Sequence, residues 1–175
     1  MKIHVLDGVF EPHQLNKWKQ TINYSTEPFV SVLADKKGEG WYEKHQYHVN
    51  YSLCSNILEK IEKYFNVSNM VGYDYWTHTN TRPTSWHYDK DEIAYVTKGV
   101  TRYPICSSVF YMEVDCDGGS LQFKNGVTIK PVVNRLVIFS PKLYHGVEQF
   151  TGKRVSININ PWNTKLYPKP NDKSI

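Results

Sequence analysis

The sequence predicts a mainly β fold, a sandwich or barrel of short strands with two helices packed against one outer face. Three observations predict it. From Val71 onward, short segments rich in β-branched and aromatic residues recur between turn signals. Only two stretches, both before Asn66, carry a helical period. Aromatic residues make up 14% of the chain, led by 13 Tyr and 5 Trp, and such side chains suit a pleated, half-buried surface.

Taken in order, Ile3-His4-Val5-Leu6 reads as a short strand that stops at Asp7-Gly8. Glu11-Pro12 opens the first helix, since proline's fixed φ suits a first turn, and Leu15, Trp18 and Ile22 recur on one face. Residues 28–51 carry turn chemistry at Lys37-Gly38-Glu39-Gly40 and take no clear assignment. In the second helix Leu53, Ile57, Ile61 and the Tyr64/Phe65 pair repeat with a helical period that ends before Asn66. Strands follow over 73–78, 105–114, 120–123, 135–139 and 155–159. Asp117-Gly118-Gly119, Lys124-Asn125-Gly126 and Thr151-Gly152-Lys153 mark turns between them. Residues 1–163 are expected to form one domain, and 164–175, polar and proline-containing, a flexible tail.

Composition narrows the classes. No apolar run approaches the roughly 20 residues needed to span a bilayer, and Asp7 interrupts the N-terminus before a signal peptide could form. The expectation is a soluble, cytoplasmic protein with no membrane contact. Cys54, Cys106 and Cys116 are odd in number and form no CxxC pair, so they read as reduced thiols in core or surface positions. The net charge of +4 is mildly basic, but Lys and Arg are scattered rather than striped, which argues against nucleic acid as a partner. Nothing speaks to oligomeric state.

The chemistry starts at Trp86-His87-Tyr88-Asp89. Residues i and i+2 of a strand share a face, so His87 and Asp89 converge on one side while Tyr88 turns away. A third ligand is needed, and His145 in Tyr144-His145-Gly146-Val147 is the candidate. Two imidazoles and one carboxylate leave coordination positions open, the arrangement of non-haem iron(II) oxygenases. His4, His13, His45 and His48 read as surface or loop residues. His78 is a possible pocket residue with a structural role as the simpler reading.

Residues 145–161 read as a hairpin. A tight loop centred on Thr151-Gly152 pairs Gln149 with Arg154, Val147 with Ser156 and His145 with Asn158, placing His145, Arg154 and Ser156 on one side. Four residues separate the Asn158 and Arg154 levels, roughly 13 Å at a strand's rise. A small diacid bridges such a gap, chelating a metal at one end and meeting a forked, permanently charged guanidinium at the other. The Ser156 hydroxyl can donate a further bond to the same carboxylate.

With these residues in place the sequence resembles the 2-oxoglutarate and iron(II)-dependent dioxygenases, specifically their prolyl-4-hydroxylase-like branch. The resemblance rests on four pieces in order. They are His87-Tyr88-Asp89, Ser107-Ser108-Val109-Phe110-Tyr111 leading to Gly118-Gly119-Ser120-Leu121-Gln122-Phe123, Tyr144-His145-Gly146-Val147, and Arg154-Val155-Ser156. It implies a double-stranded β-helix, or jelly roll, with Fe(II) at one open end. It implies 2-oxoglutarate as co-substrate, released as succinate and carbon dioxide while a C–H bond is hydroxylated. It also places Tyr111 beside Arg154 at the distal carboxylate.

A peptidyl substrate fits that branch best, since the exposed loop Thr77 to Ser85, with Pro83, lies beside the metal; a small molecule is the next choice. Trp86 and Trp162 can line a substrate cleft or belong to the core, and Asp91 and Glu92 are expected to face solvent. Two other classes use the same residues differently. A cupin-like metal protein would need the three ligands but not Arg154 with Ser156. A non-catalytic sheet domain would need none of them.

Overall fold

The computed structural model describes residues 2–21, 50–78 and 83–167, and the backbone of 30–35. Among the described residues nine strands and three helices run in the order β1 (Ile3–Leu6), α1 (Pro12–Thr21), β2 (Val30–Asp35), α2 (Tyr51–Ile61), β3 (Gly72–His78), α3 (Glu92–Lys98), β4 (Ser107–Gly118), β5 (Leu121–Phe123), β6 (Thr128–Ile129), β7 (Leu136–Phe139), β8 (His145–Val147) and β9 (Phe150–Trp162). They form a six-stranded sheet in the order β1-β7-β4-β9-β3-β2 and a three-stranded sheet in the order β6-β5-β8. Every pairing between these strands is antiparallel.

Two cores follow from the alternation of faces along these strands. On the outer face of the large sheet, Phe110, Met112, Val155, Ile157 and Ile159 pack against Leu15 and Trp18 of α1 and Leu53, Ile57 and Ile61 of α2. The two predicted helices thus back one face. At 11 residues α2 is shorter than the roughly 12–15 an isolated helix needs, so its four buried side chains hold it. Between the sheets lies a second core of Val109, Tyr111, Leu121, Phe123, Ile129, Val137 and Phe139.

Several expectations change. Residues 145–161 are not a hairpin: β8 pairs with β5 in the small sheet, whereas β9 pairs with β4 and β3 in the large one. The chain changes sheet between Val147 and Phe150, so His145 and Asn158 are not opposed. Asp91 is buried rather than solvent-facing: its side chain caps α3 by accepting from the Ala94 N–H at 2.9 Å. A third helix therefore stands where a charged solvent run was expected. Thr77 and His78 belong to β3, as the strand expected over 73–78 has it, so the loop expected over Thr77 to Ser85 does not include them. Leu166 is buried, and the Tyr167 N–H donates to Asp91 Oδ2 at 3.1 Å, so the first residues beyond 163 are docked. Ile22, residues 36–49 with His45 and His48, residues 79–82 and residues 168–175 lie outside the described residues. All three cysteines are free thiols, and among the described residues no helix is long and apolar enough to cross a membrane.

Candidate active site

The metal candidates meet because a short segment docks on the edge of the small sheet. His87 and His145 form an antiparallel bridge in which the His87 N–H donates to the His145 carbonyl at 2.8 Å and the His145 N–H to the His87 carbonyl at 3.0 Å. Parity then sends His87, Asp89 and His145 inward and Trp86, Tyr88 and Tyr144 outward. Gly146 permits the close approach, for a Cβ there would stand 3.0 Å from the Thr84 carbonyl oxygen and 3.4 Å from Trp86 backbone.

One donor atom from each of His87, Asp89 and His145 lies within 4.8 Å of the other two. Asp89 Oδ1 stands 3.4 Å from His87 Nε2, and Oδ2 stands 3.8 Å from His145 Nε2. Each imidazole is oriented from behind: His87 Nδ1 faces the Ser85 carbonyl at 2.7 Å and His145 Nδ1 the Leu143 carbonyl at 2.9 Å. A carbonyl only accepts, so Nδ1 carries the proton and each Nε2 lone pair faces the site. Asp89 is buried, and its Oδ2 has no hydrogen-bond partner among the described residues. A buried carboxylate oxygen left without a donor calls for a cation, so the donor set fits a resident metal.

Electrostatics agree. Burial works against ionising Asp89, but the neighbouring imidazoles outweigh it and hold the carboxyl below its ordinary range. At His87 burial also opposes charge, yet Asp89 raises the imidazole above its usual value. At His145 burial wins and lowers it. The centre therefore offers a carboxylate and one imidazole that is already neutral.

Arg154 opposes Val114 and Ser156 opposes Tyr111 across the β4–β9 ladder, so they reach the inner side by a pairing other than the expected one. Trp76, His78, Val109, His145, Arg154 and Ser156 all line one narrow cavity. The Arg154 guanidinium is buried, lies 5.0 Å from the Tyr111 ring centroid, and donates through Nη1 to Ser156 Oγ at 3.1 Å. Among the described residues no carboxylate pairs with it, and its Nε lacks a partner. Gly119, at a φ of 75°, makes room for the stem, since a Cβ would stand 3.1 Å from Arg154 Cδ. The Tyr111 hydroxyl is buried, and burial raises its phenol despite the charge and hydrogen bonding of the nearby Arg154 guanidinium.

His78, left open in the sequence reading, lines this cavity and accepts from the Trp76 indole N–H at 2.9 Å. Burial and the Arg154 charge push its imidazole down to about 4. A second, wider cleft of about 350 Å³ opens from the same centre and is lined by Trp76, His78, His87, Tyr88, Asp89 and Glu92 together with Lys90. Asp74 also lines it. That residue is buried, its Oδ1 has no hydrogen-bond partner among the described residues, and burial and the Asp89 charge raise its carboxyl well above the usual range. The sequence reading missed Asp74. The signal was an acid at the same parity as Trp76 and His78 in an aromatic strand. Trp162 is core and Trp86 is exposed. Of the other described histidines, His13 is exposed and His4 packs its ring against Tyr64.

Comparison with known proteins places the arrangement. The family model of the 2OG-Fe(II) oxygenase superfamily matches residues 73–162. Among solved structures, the chain is similar to an oxidoreductase of the 2OG-Fe(II) oxygenase family from Burkholderia pseudomallei, at 15% identity over 94% of this chain and 85% of that one, with a TM-score of 0.64. It is also similar to the collagen prolyl hydroxylase of Paramecium Bursaria Chlorella virus-1 in complex with 2OG (14% identity, 92% and 96% covered, TM-score 0.58). A third is a prolyl hydroxylase from Trichoplax adhaerens in complex with a hypoxia inducible factor peptide fragment (12% identity, 92% and 83% covered, TM-score 0.54). These likenesses establish the jelly-roll fold. No curated protein sequence matches the chain significantly. The family match spans the strands that carry the imidazoles, the carboxylate and the guanidinium, and the chain belongs to the 2OG-Fe(II) oxygenase superfamily as a 2-oxoglutarate-dependent, non-haem iron dioxygenase.

Proposed function

We infer that the protein hydroxylates a C–H bond of a peptidyl side chain, of prolyl type, with release of succinate and carbon dioxide. His87, Asp89 and His145 would hold Fe(II), which when bound supplies the redox chemistry that couples decarboxylation of 2-oxoglutarate to oxidation of the substrate. Arg154, Ser156 and Tyr111 would hold the far carboxylate of 2-oxoglutarate. The observation that carries the reading is the buried Arg154, which has no carboxylate partner among the described residues and lines the same narrow cavity as His145. Its fork matches a carboxylate, and Ser156, which accepts from Arg154, keeps its own O–H free to donate. A cupin-like protein using the three ligands alone would have no use for that guanidinium.

The second cleft supports a peptide over a small molecule. At about 350 Å³ and open to solvent, it admits a side chain presented from a longer chain, and Asp74 offers a polar anchor on its wall. Two of the similar structures are described as prolyl hydroxylases, one holding a peptide. Residues 1–163 would form the catalytic domain, with the docked Leu166 and Tyr167 buttressing the cap of α3. Three free thiols suit the reducing cytoplasm. The test is incubation with Fe(II), 2-oxoglutarate and a library of proline-containing and proline-free peptides, following succinate and the gain of one oxygen atom. Succinate release prompted only by non-peptide compounds would assign a small-molecule substrate instead.

A further inference from the structure

The small sheet has two faces of opposite character. Inward parity gives His87, Asp89, His145, Phe123, Leu121 and Ile129. The outward set from the same segments includes Trp86, Tyr88, Tyr144 and Lys124. A solvated sheet face ordinarily carries scattered polar side chains. Here the strands turn Gln122, Thr128 and Gly146 outward, and beside them the docked segment and adjoining loop residues carry a continuous run of rings. Trp86 stacks on Tyr144 at 5.9 Å with an interplanar angle of 25°, Tyr144 meets Tyr88 at 4.8 Å, and Tyr88 meets Tyr103 edge-on at 6.4 Å. Trp86 is 39% and Tyr88 38% exposed. The lysines of this face sit over the rings, Lys124 at 5.2 Å from the Trp86 centroid and Lys142 at 5.8 Å from that of Tyr103. Among the described residues neither lysine meets a carboxylate.

We propose that this face, formed by Trp86, Tyr88, Tyr144 and Tyr103 and edged by Lys124 and Lys142, docks an acidic, extended segment of the peptide substrate. The proposal rests on the peptidyl reading above. Two uncompensated cations set the sign of the partner, and rigid aromatic rings supply contact area at small entropic loss. Continuity supplies the connection to catalysis, because Tyr88 belongs both to the run of rings and to the wall of the cleft that His87 and Asp89 line. A chain lying on the rings therefore enters the cleft over the edge of the metal-bearing strand. Single-stranded nucleic acid also favours rings and cations. It needs open ring faces for its bases, however, and here Lys124 covers one face of Trp86 while Tyr144 covers another.

The test uses the full chain with fluorescein-labelled peptides of equal length built from Glu-Pro, Gln-Pro or Lys-Pro repeats, and a labelled single-stranded oligonucleotide, read by fluorescence anisotropy. The Glu-Pro peptide should bind tightest and weaken with salt. The double variant Lys124→Gln/Lys142→Gln should bind it about tenfold more weakly, at about threefold per exposed charge pair. Trp86→Ala should also weaken it, and Fe(II) uptake by every variant checks that the fold is intact. Equal affinity for the three peptides, an unchanged double variant, or preference for the oligonucleotide would each overturn the proposal. If acidic peptides dock but no peptide prompts succinate release, the surface keeps its partner and the peptidyl-hydroxylase reading falls. If peptides prompt release at rates indifferent to flanking charge, that reading stands and the docking surface falls.

Discussion

The two cavities that meet at the metal centre share Trp76, His78, Thr84 and His87, yet they are built for opposite ligands. The narrow one is lined by Arg154, a buried cation with no carboxylate partner among the described residues, with Ser156 beside it. Among the described residues the wide one is lined by Asp74, Asp89 and Glu92, and by Lys90, which faces Glu92 at 3.5 Å. Charge thus sorts what enters each side. A dicarboxylate is drawn toward the guanidinium. The wide cleft instead offers carboxyl oxygens to the N–H groups of a substrate.

The metal centre is common to both cavities, so its loss should be the largest effect. His145→Ala removes a donor whose tautomer and direction are fixed by Leu143. Altering groups behind a metal ligand costs about 10–100-fold in affinity, so losing the ligand itself should exceed the upper figure. Titration with Fe(II) under anaerobic conditions measures it, and near-normal uptake would remove His145 from the centre.

Arg154→Met separates the cavities. Hydrogen bonds to charged groups contribute about 1.5–3 kcal/mol each, so the 2-oxoglutarate concentration required should rise by about one to two orders of magnitude while Fe(II) affinity holds. The same change should raise the Tm of the cofactor-free protein, because it removes a buried charge that no carboxylate among the described residues pairs with. A fall in Tm with an unchanged 2-oxoglutarate requirement would make Arg154 a structural residue. Ser156→Ala acts on the same cavity more gently. Losing one hydroxyl should raise the requirement by about tenfold or less, and steady-state kinetics against 2-oxoglutarate would show it.

How much of this was legible in the sequence depends on the range of the signal. His87 and Asp89 were readable because parity within one strand is local. Arg154 and Ser156 were placed on the correct side through a wrong hairpin. Strand parity survives a mistaken partner, but whether β9 stays beside β8 or crosses to the other sheet depends on pairing with the distant β4 and β3. Helix α3 escaped because its apolar period is weak, with Val96 77% exposed, although both its caps were printed in the chain as Asp91 and Gly99. Asp74 escaped for a related reason. Its burial is decided by which face of β3 turns toward the cleft, and an alternating run of aromatic residues on both faces hides that choice.

The smallest effect concerns His78, which stands between the two cavities and tests their separation without touching the metal ligands' own atoms. Its Nε2 accepts the Trp76 indole hydrogen at 2.9 Å, so protonating it destroys an acceptor in a half-buried site already facing the Arg154 charge. Its imidazole is accordingly held at about 4, against 6.5 for an unperturbed histidine. Between those values the unfolded chain binds the proton and the folded protein does not, so stability falls as pH drops from 6.5 toward about 4 and is whole above 6.5. Substitution by Gln, which still offers an acceptor but does not titrate, should flatten that slope in the metal-free protein by up to one proton. Urea unfolding of both proteins across this range measures the difference. Parallel slopes would mean that His78 takes its proton as readily folded as unfolded, and that the wall between the cavities is wet on both sides.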